Sequence, residues 1–365
     1  MSNLTFLTRE QCFESEKLDI LQKRGTKAAI TDFSILLGGW ADSNKDYWHI
    51  DGDDSLEGRT GFYWTKSDDG DNDARVVDGS GRRSCRNVLE RGGGARPALP
   101  FSSISSIPTN GVSGKRAKDG VLEVEYGFYP QKAVSKDMQE RLESAFKSGS
   151  LSRTGKNYTT DSRRYDDYDA EFSPKQHQEY QYNGKRYVRV EANSDFGGGE
   201  FQLSNGEKYR DGDNVWVEVS PVKWLVDERA KIMLTDKLIF SGVQFNHTRD
   251  YHTRDFDKTD IKTFMDRYLS RDLEQSRGTI ETGEQGEGTE EIQPRKSRLQ
   301  KLNPDKTKQA SRVRMTDTEI IQNWIEAGES VLLRGPSGIG KTERIKSLYP
   351  DLIYMKLTNN MFPEK

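Results

Sequence analysis

Gly335-Pro336-Ser337-Gly338-Ile339-Gly340-Lys341-Thr342 is the stretch of this 365-residue chain whose residue types and spacing specify a chemistry. That chemistry is the binding of a nucleoside triphosphate. Phosphate oxygens pack against main-chain N–H groups, so the loop backbone must come close and turn sharply. Gly335, Gly338 and Gly340 permit this where a Cβ would collide or φ would be wrong. A helix beginning at Lys341 adds its first N–H groups and the positive end of its dipole. Lys341 brings a mobile cation to the β- and γ-phosphates, and the Thr342 hydroxyl is placed to ligate Mg²⁺. The expected ligands are therefore ATP and Mg²⁺. Pro336, Ser337 and Ile339 complete the loop, and Thr342 is the metal-facing residue.

The loop needs a buried strand before it and a helix after it. Ser330-Val331-Leu332-Leu333-Arg334 reads as that strand, and Thr342 to Leu348 as that helix, stopped near Pro350. Upstream, Thr316-Asp317-Thr318-Glu319 is a capping box for a helix whose apolar residues are Ile320, Ile321, Trp324 and Ile325, with Gly328 at its end. Asp351-Leu352-Ile353-Tyr354-Met355-Lys356-Leu357 reads as a second strand. The bare G-x4-G-K-[ST] pattern arises by chance in roughly one chain in a hundred of this length, and here its structural context is present as well.

Residues 315–365 resemble the start of an AAA+ ATPase of the MoxR-like, dynein-related kind. The GPSGIGKT loop follows a buried strand, and Met361-Phe362-Pro363-Glu364 stands where that group carries a short Pro-Glu element after its second strand. The resemblance implies an α/β fold, ring-shaped homo-oligomers and remodelling of a protein partner. It also places the Walker B strand, the sensor residues and the arginine finger beyond Lys365. Hydrolysis is thus expected of a longer protein, and phosphate binding of this chain.

The preceding residues carry strand signals. Phe62-Tyr63-Trp64-Thr65 and Ala74-Arg75-Val76-Val77 flank an Asp/Asn/Gly turn, and Leu122-Glu123-Val124-Glu125-Tyr126 alternates with period two. Tyr180-Gln181-Tyr182, Asn183-Gly184 and Tyr187-Val188-Arg189-Val190 read as a hairpin, because Asn-Gly tolerates the positive φ of a type I′ turn. Phe201-Gln202-Leu203, Asn205-Gly206 and Lys208-Tyr209 repeat that pattern. Val215 to Val219 and Val222 to Val226 read as two strands split by Pro221, at an edge or a strand start. Met138 to Phe146 is helical in pattern, and residues 150–178 are polar enough to read as a loop or mobile excursion. Ile261, Phe264, Met265, Tyr268 and Leu269 form one apolar helical stripe.

Gly61-Phe62-Tyr63-Trp64-Thr65, Asn72-Asp73-Ala74-Arg75-Val76-Val77 and Gly94-Ala95-Arg96-Pro97-Ala98-Leu99 resemble signatures of bacterial and phage domains of the C-type-lectin and formylglycine-generating-enzyme folds. Tyr126-Gly127-Phe128-Tyr129-Pro130-Gln131 and Pro221-Val222-Lys223-Trp224-Leu225-Val226 resemble other signatures of the same group, with the ending motif placed first. The expected organisation is α+β. A β-rich lectin-like region (1–115) leads to a β-rich region with a closing helix (116–271), which belongs to the same or a second domain. A flexible charged linker (272–314) and the start of a P-loop ATPase domain (315–365) follow. The linker runs from an acidic, Gly-rich part to a basic part, too poor in apolar residues to offset ordering entropy.

Composition sets outer bounds. Hydrophobic and charged residues each make up 32% of the chain, and the net charge is -3, so no global field favours nucleic acid or an anionic membrane. Two cysteines, Cys12 and Cys85, make neither a disulfide framework nor a zinc site. With no signal peptide and no apolar run of about 20 residues, a cytoplasmic protein without a membrane partner is expected. The Asp68-to-Asp73 cluster, and Asp51, Asp53 and Asp54, read as solvated turns, since their order does not fit an EF-hand. His49, His177, His247 and His252 lie in separate contexts, and Trp40, Trp48, Trp64, Trp216 and Trp224 read as core rather than as a sugar-stacking platform.

Overall fold

A computed structural model describes residues 4–14, 16–41, 48–68, 73–110, 114–163, 172–193, 199–247 and 255–275. The chain divides into two units, Met1–Thr282 and Gly283–Lys365, and every described residue belongs to the first. Its described part is a β-rich α+β fold with few helices.

Three short helices lead the chain: α1 (Arg9–Phe13), α2 (Asp19–Arg24) and α3 (Asp32–Leu36). Thr8 and Gln11 form a capping box that starts α1, and the Thr31 hydroxyl accepts from the Ser34 amide to start α3. The buried Asp32 carboxylate accepts from the amides of Ala133 and Ser204, both at 2.8 Å, and so ties α3 to two distant segments.

Next come β1 (Tyr63–Asp68), β2 (Asp73–Val77) and β3 (Arg83–Asn87), which pair in that order as an antiparallel sheet. The remaining strands are β4 (Ala98–Pro100), β5 (Lys115–Arg116), β6 (Leu122–Ala133), β7 (Ser152–Asp161), β8 (Pro174–Tyr182), β9 (Lys185–Glu191), β10 (Phe201–Gln202), β11 (Lys208–Tyr209), β12 (Asn214–Asp227) and β13 (Ile232–Thr235). β10 and β11 form a small hairpin, and the others build one eight-stranded sheet. Between β8 and β9, Asn183 and Gly184 have φ of 49° and 74°, both positive as a type I′ turn requires.

β12 is the spine of the large sheet. On one side it pairs with β6 along most of its length; on the other it pairs with β9 through Glu218 and with β13 from Trp224 onward. The sequence suggested two strands split at Pro221, but the strand is continuous. Pro221 stands opposite Phe128 of β6, and on its other side it lies in the gap between β9 and β13, where no strand is paired with it. The register with β6 shifts between Pro221 and Lys223, and the Gln131 amide nitrogen donates to the carbonyls of Ser220 and Pro221 there.

Residues 150–178 also differ from expectation: instead of a loop throughout, they contain β7 and the first half of β8. Polar side chains hid these strands because the partners that satisfy them come from remote parts of the chain. Helix α4 (Lys136–Lys147) covers the opposite sheet face, seating Leu142 among Tyr180, Tyr187 and Trp216. The stripe from Ile261 to Leu269 is helical, but it is built from α5 (Asp260–Phe264) and a π turn (Met265–Leu269), and α6 (Ser270–Gln275) continues it.

One apolar core runs from Phe6 and Trp64 through Leu99, Val124 and Val217 to Leu273. Trp64, Trp216 and Trp224 are fully buried, as a core role requires, whereas Trp40 and Trp48 are only partly buried and stack edge-on at 4.8 Å. The motif residue Arg96 is buried too. Its guanidinium donates to the Thr235 carbonyl at 3.0 Å and lies 5.5 Å from the centre of the Tyr63 ring, so it locks β4, β13 and β1 together. Cys12 is buried, burial pushes its thiol up to about 12, and neither cysteine is in a disulfide.

Candidate functional site

The phosphate loop, Gly335 to Thr342, lies outside the described residues, as do the strand and helices expected to flank it, the linker beyond Gln275 and His252. The first residues assigned to that linker, 272–275, are instead part of α6, with Asp272 and Leu273 buried against the sheet. Residues 69–72 of the aspartate turn are outside them as well. Asp51 pairs with Lys27, and Asp53 accepts from Ser55 in an exposed turn. His49 is buried and its Nδ1 contacts the Asp53 carbonyl at 3.2 Å, whereas His247 Nδ1 lies 2.7 Å from the Asp260 carboxylate. Among the described residues, no group of three or more His, Cys, Asp or Glu side chains could hold a metal ion, and no helix is long and apolar enough to cross a membrane.

The most developed polar site in the described unit is built on β7 and β8. Antiparallel pairing sets Tyr158 opposite His177 and Thr160 opposite Lys175. Side chains of such pairs share a face. Thr160 Oγ1 lies 2.7 Å from His177 Nε2, and both residues are buried. The ring also hydrogen-bonds the Arg189 main chain. Burial first, then the Lys175 charge, lowers the His177 pKa to about 4, so the imidazole is neutral near pH 7. One pair further along β8, the Tyr158 hydroxyl donates to Glu179 Oε2 at 2.6 Å.

Asp161 ends β7 with its carboxylate fully buried. Arg163 Nε donates to it at 2.7 Å, Arg91 Nη2 is 3.7 Å away, and the amides of Arg163 and Ser173 donate to Oδ1. Arg163 Nη1 reaches Gln244 Oε1 at 2.9 Å, and Arg91 Nε donates to the Gly242 carbonyl at 3.0 Å. A buried ion pair is tolerable only when hydrogen bonds of this kind support it.

A cavity of about 200 Å³ opens beside these strands, and Thr160, Lys175, His177, Glu191, Asn193 and Asp211 supply its polar wall. Lys175 Nζ pairs with Glu191 Oε2 at 2.8 Å, each side chain being nearly half exposed. The Asn193 amide donates to the Leu36 carbonyl, and its side chain donates to the Arg163 carbonyl at 3.1 Å. Gly212, at φ 84°, donates its N–H to the Ala192 carbonyl at 2.9 Å, which docks the turn carrying Asp211 against the end of β9.

Sequence reasoning did not find this site. A retrospective signal exists in Asn157-Tyr158-Thr159-Thr160, a β-branched and aromatic run, and in the alternation Lys175, His177, Glu179. No family model, curated protein or solved structure matches the chain.

Proposed function

We propose that the chain is the ATP-binding portion of an AAA+ ATPase whose β-rich N-terminal unit recognises a partner that ring-forming ATPase modules remodel. The observation that carries this reading is the Gly335–Thr342 motif, with sequence signals for a capped helix, a strand and a following helix in the required order. Gly335, Gly338 and Gly340 let the backbone wrap the phosphates, Lys341 neutralises them, and Thr342 ligates Mg²⁺. The test is equilibrium binding of a fluorescent ATP analogue with Mg²⁺. Lys341→Ala should abolish binding, and unchanged affinity would sink the assignment.

A second reading, a binding protein whose function rests in residues 1–271, is favoured by the polar cavity on β7 and β8. Under it, ligand binding survives Lys341→Ala unchanged and depends on residues of the β-rich unit. Protein and small-molecule arrays probed with the full chain test it. Silence on every array counts against recognition by this unit.

A further inference from the structure

We infer that the cavity beside β7, β8 and β9 is a binding site for a small zwitterion of the free amino acid class. The inference rests on reading the β-rich unit as a recognition module and does not depend on nucleotide binding.

Size sets the first limit. The cavity, at about 200 Å³, is smaller than the roughly 300–1,000 Å³ pockets that take drug-sized ligands. A nucleotide or folded peptide does not fit, whereas a free amino acid does.

Charge sets the second. The wall presents an ammonium, Lys175, and two carboxylates, Glu191 and Asp211. Asp161 adds no unbalanced charge, because Arg163 and Arg91 lie against it. A wall holding both signs suits a ligand that also holds both. Lys175 and Glu191 are paired with each other, nearly half exposed, and such a pair is only weakly favoured over two solvated charges. It therefore opens at low cost: Lys175 takes the ligand carboxylate and Glu191 takes the ligand ammonium, each by a charge-assisted contact.

Rigidity is the third argument. Behind the two movable charges, Thr160 and His177 are at least nine-tenths buried and hold each other at 2.7 Å, and Asn193 is fixed by two main-chain partners. The preformed floor spares the ligand the cost of ordering it. Leu37 and Ala192 form the apolar part of the wall, against which a short aliphatic side chain packs.

The experiment uses the full chain. Thermal shift and calorimetric titration are run with each of the twenty free L-amino acids, with acetate, putrescine and glucose as single-charge and neutral probes. Saturable binding of one or more amino acids is expected, with no response to the three control probes. Lys175→Ala and Glu191→Gln should each weaken that binding at least tenfold while the circular dichroism spectrum stays unchanged. Amino acid binding at full affinity in both variants overturns the cavity as the site, yet leaves recognition by this unit intact. A response to glucose or putrescine alone overturns the zwitterion class, and silence toward every probe overturns the site. Titration of the ATP analogue in the same samples reports separately on the phosphate loop.

Discussion

The Thr159 amide on β7 donates to the Asp272 carboxylate on α6 at 2.8 Å, across 113 positions of chain. β7 is the outer strand of the large sheet, so this N–H has no neighbouring strand to bond. Asp272 supplies the acceptor, and Arg271 binds both the Asp272 carboxylate and Thr159 Oγ1, each at 2.9 Å. An exposed ladder edge invites pairing with other chains, and the closing helix covers this one.

That contact predicts a pH dependence. Burial, the dominant cause, raises the Asp272 pKa from 3.8 to about 6, against the opposing pull of the Thr159 amide and Arg271. Between these two pH values the folded chain holds a proton that the unfolded chain releases. The group's stabilising contribution is therefore full below pH 3.8 and lost as pH rises through 6. Its size is on the order of 3 kcal/mol. Asp272→Asn should remove this slope while keeping an acceptor for the Thr159 amide. Urea unfolding at pH 4.5, 5.5 and 7, followed by tryptophan fluorescence, reads the change, and a slope identical to wild type would refute it.

His177 predicts the opposite slope. Its pKa is lowered from 6.5 to about 4, mainly by burial, so between those values the unfolded chain binds the extra proton. Stability from this group is full above pH 6.5 and is lost as pH falls toward 4, on the order of 3 kcal/mol in all. His177→Gln should abolish this acid-side loss. In the wild type the two groups oppose each other between pH 4 and 6, so each single variant exposes the slope of the other. An NMR titration that finds His177 with a pKa near 6.5 would contradict this account.

Gly127 predicts a backbone effect at the same helix. Its φ is +71°, and a Cβ there would lie 2.9 Å from a Leu273 methyl and 3.1 Å from the Leu273 carbonyl oxygen. Gly127→Ala combines a strained φ with a push against α6, and should cost at least about 1 kcal/mol. The urea midpoint measures this, and faster amide exchange at Thr159 would place the damage at the helix–strand contact.

Leu142 predicts the strength of the α4 face. It is completely buried against Tyr180, Tyr187 and Trp216. Leu142→Ala should cost about 2–5 kcal/mol and alter Trp216 emission. A smaller loss with unchanged emission would mean that α4 is not seated as described.

Local signals were legible wherever a residue's own backbone preference decided the outcome. Asn183-Gly184 turns where its positive φ values permit, and α4 follows the apolar spacing within 138–146. β7 was not legible, because Thr159, Thr160 and Asp161 look like surface residues until Asp272, His177 and Arg91 are brought to them. Pro221 misled for a related reason: its tolerance depends on the gap between two other strands.

The sequence by itself determined the phosphate-loop motif, because consecutive residues there carry the whole signal. It also determined the β-rich character of the first 271 residues, through turn residues and alternation. Only the tertiary structure decided that residues 150–178 hold strands, that a buried charge cluster forms around Asp161, and that Lys175 meets Glu191 beside Thr160 and His177. The physical reason is that desolvating a polar group is favourable only with its partners in place. Those partners lie 17 positions away for Thr160 and 113 for Thr159.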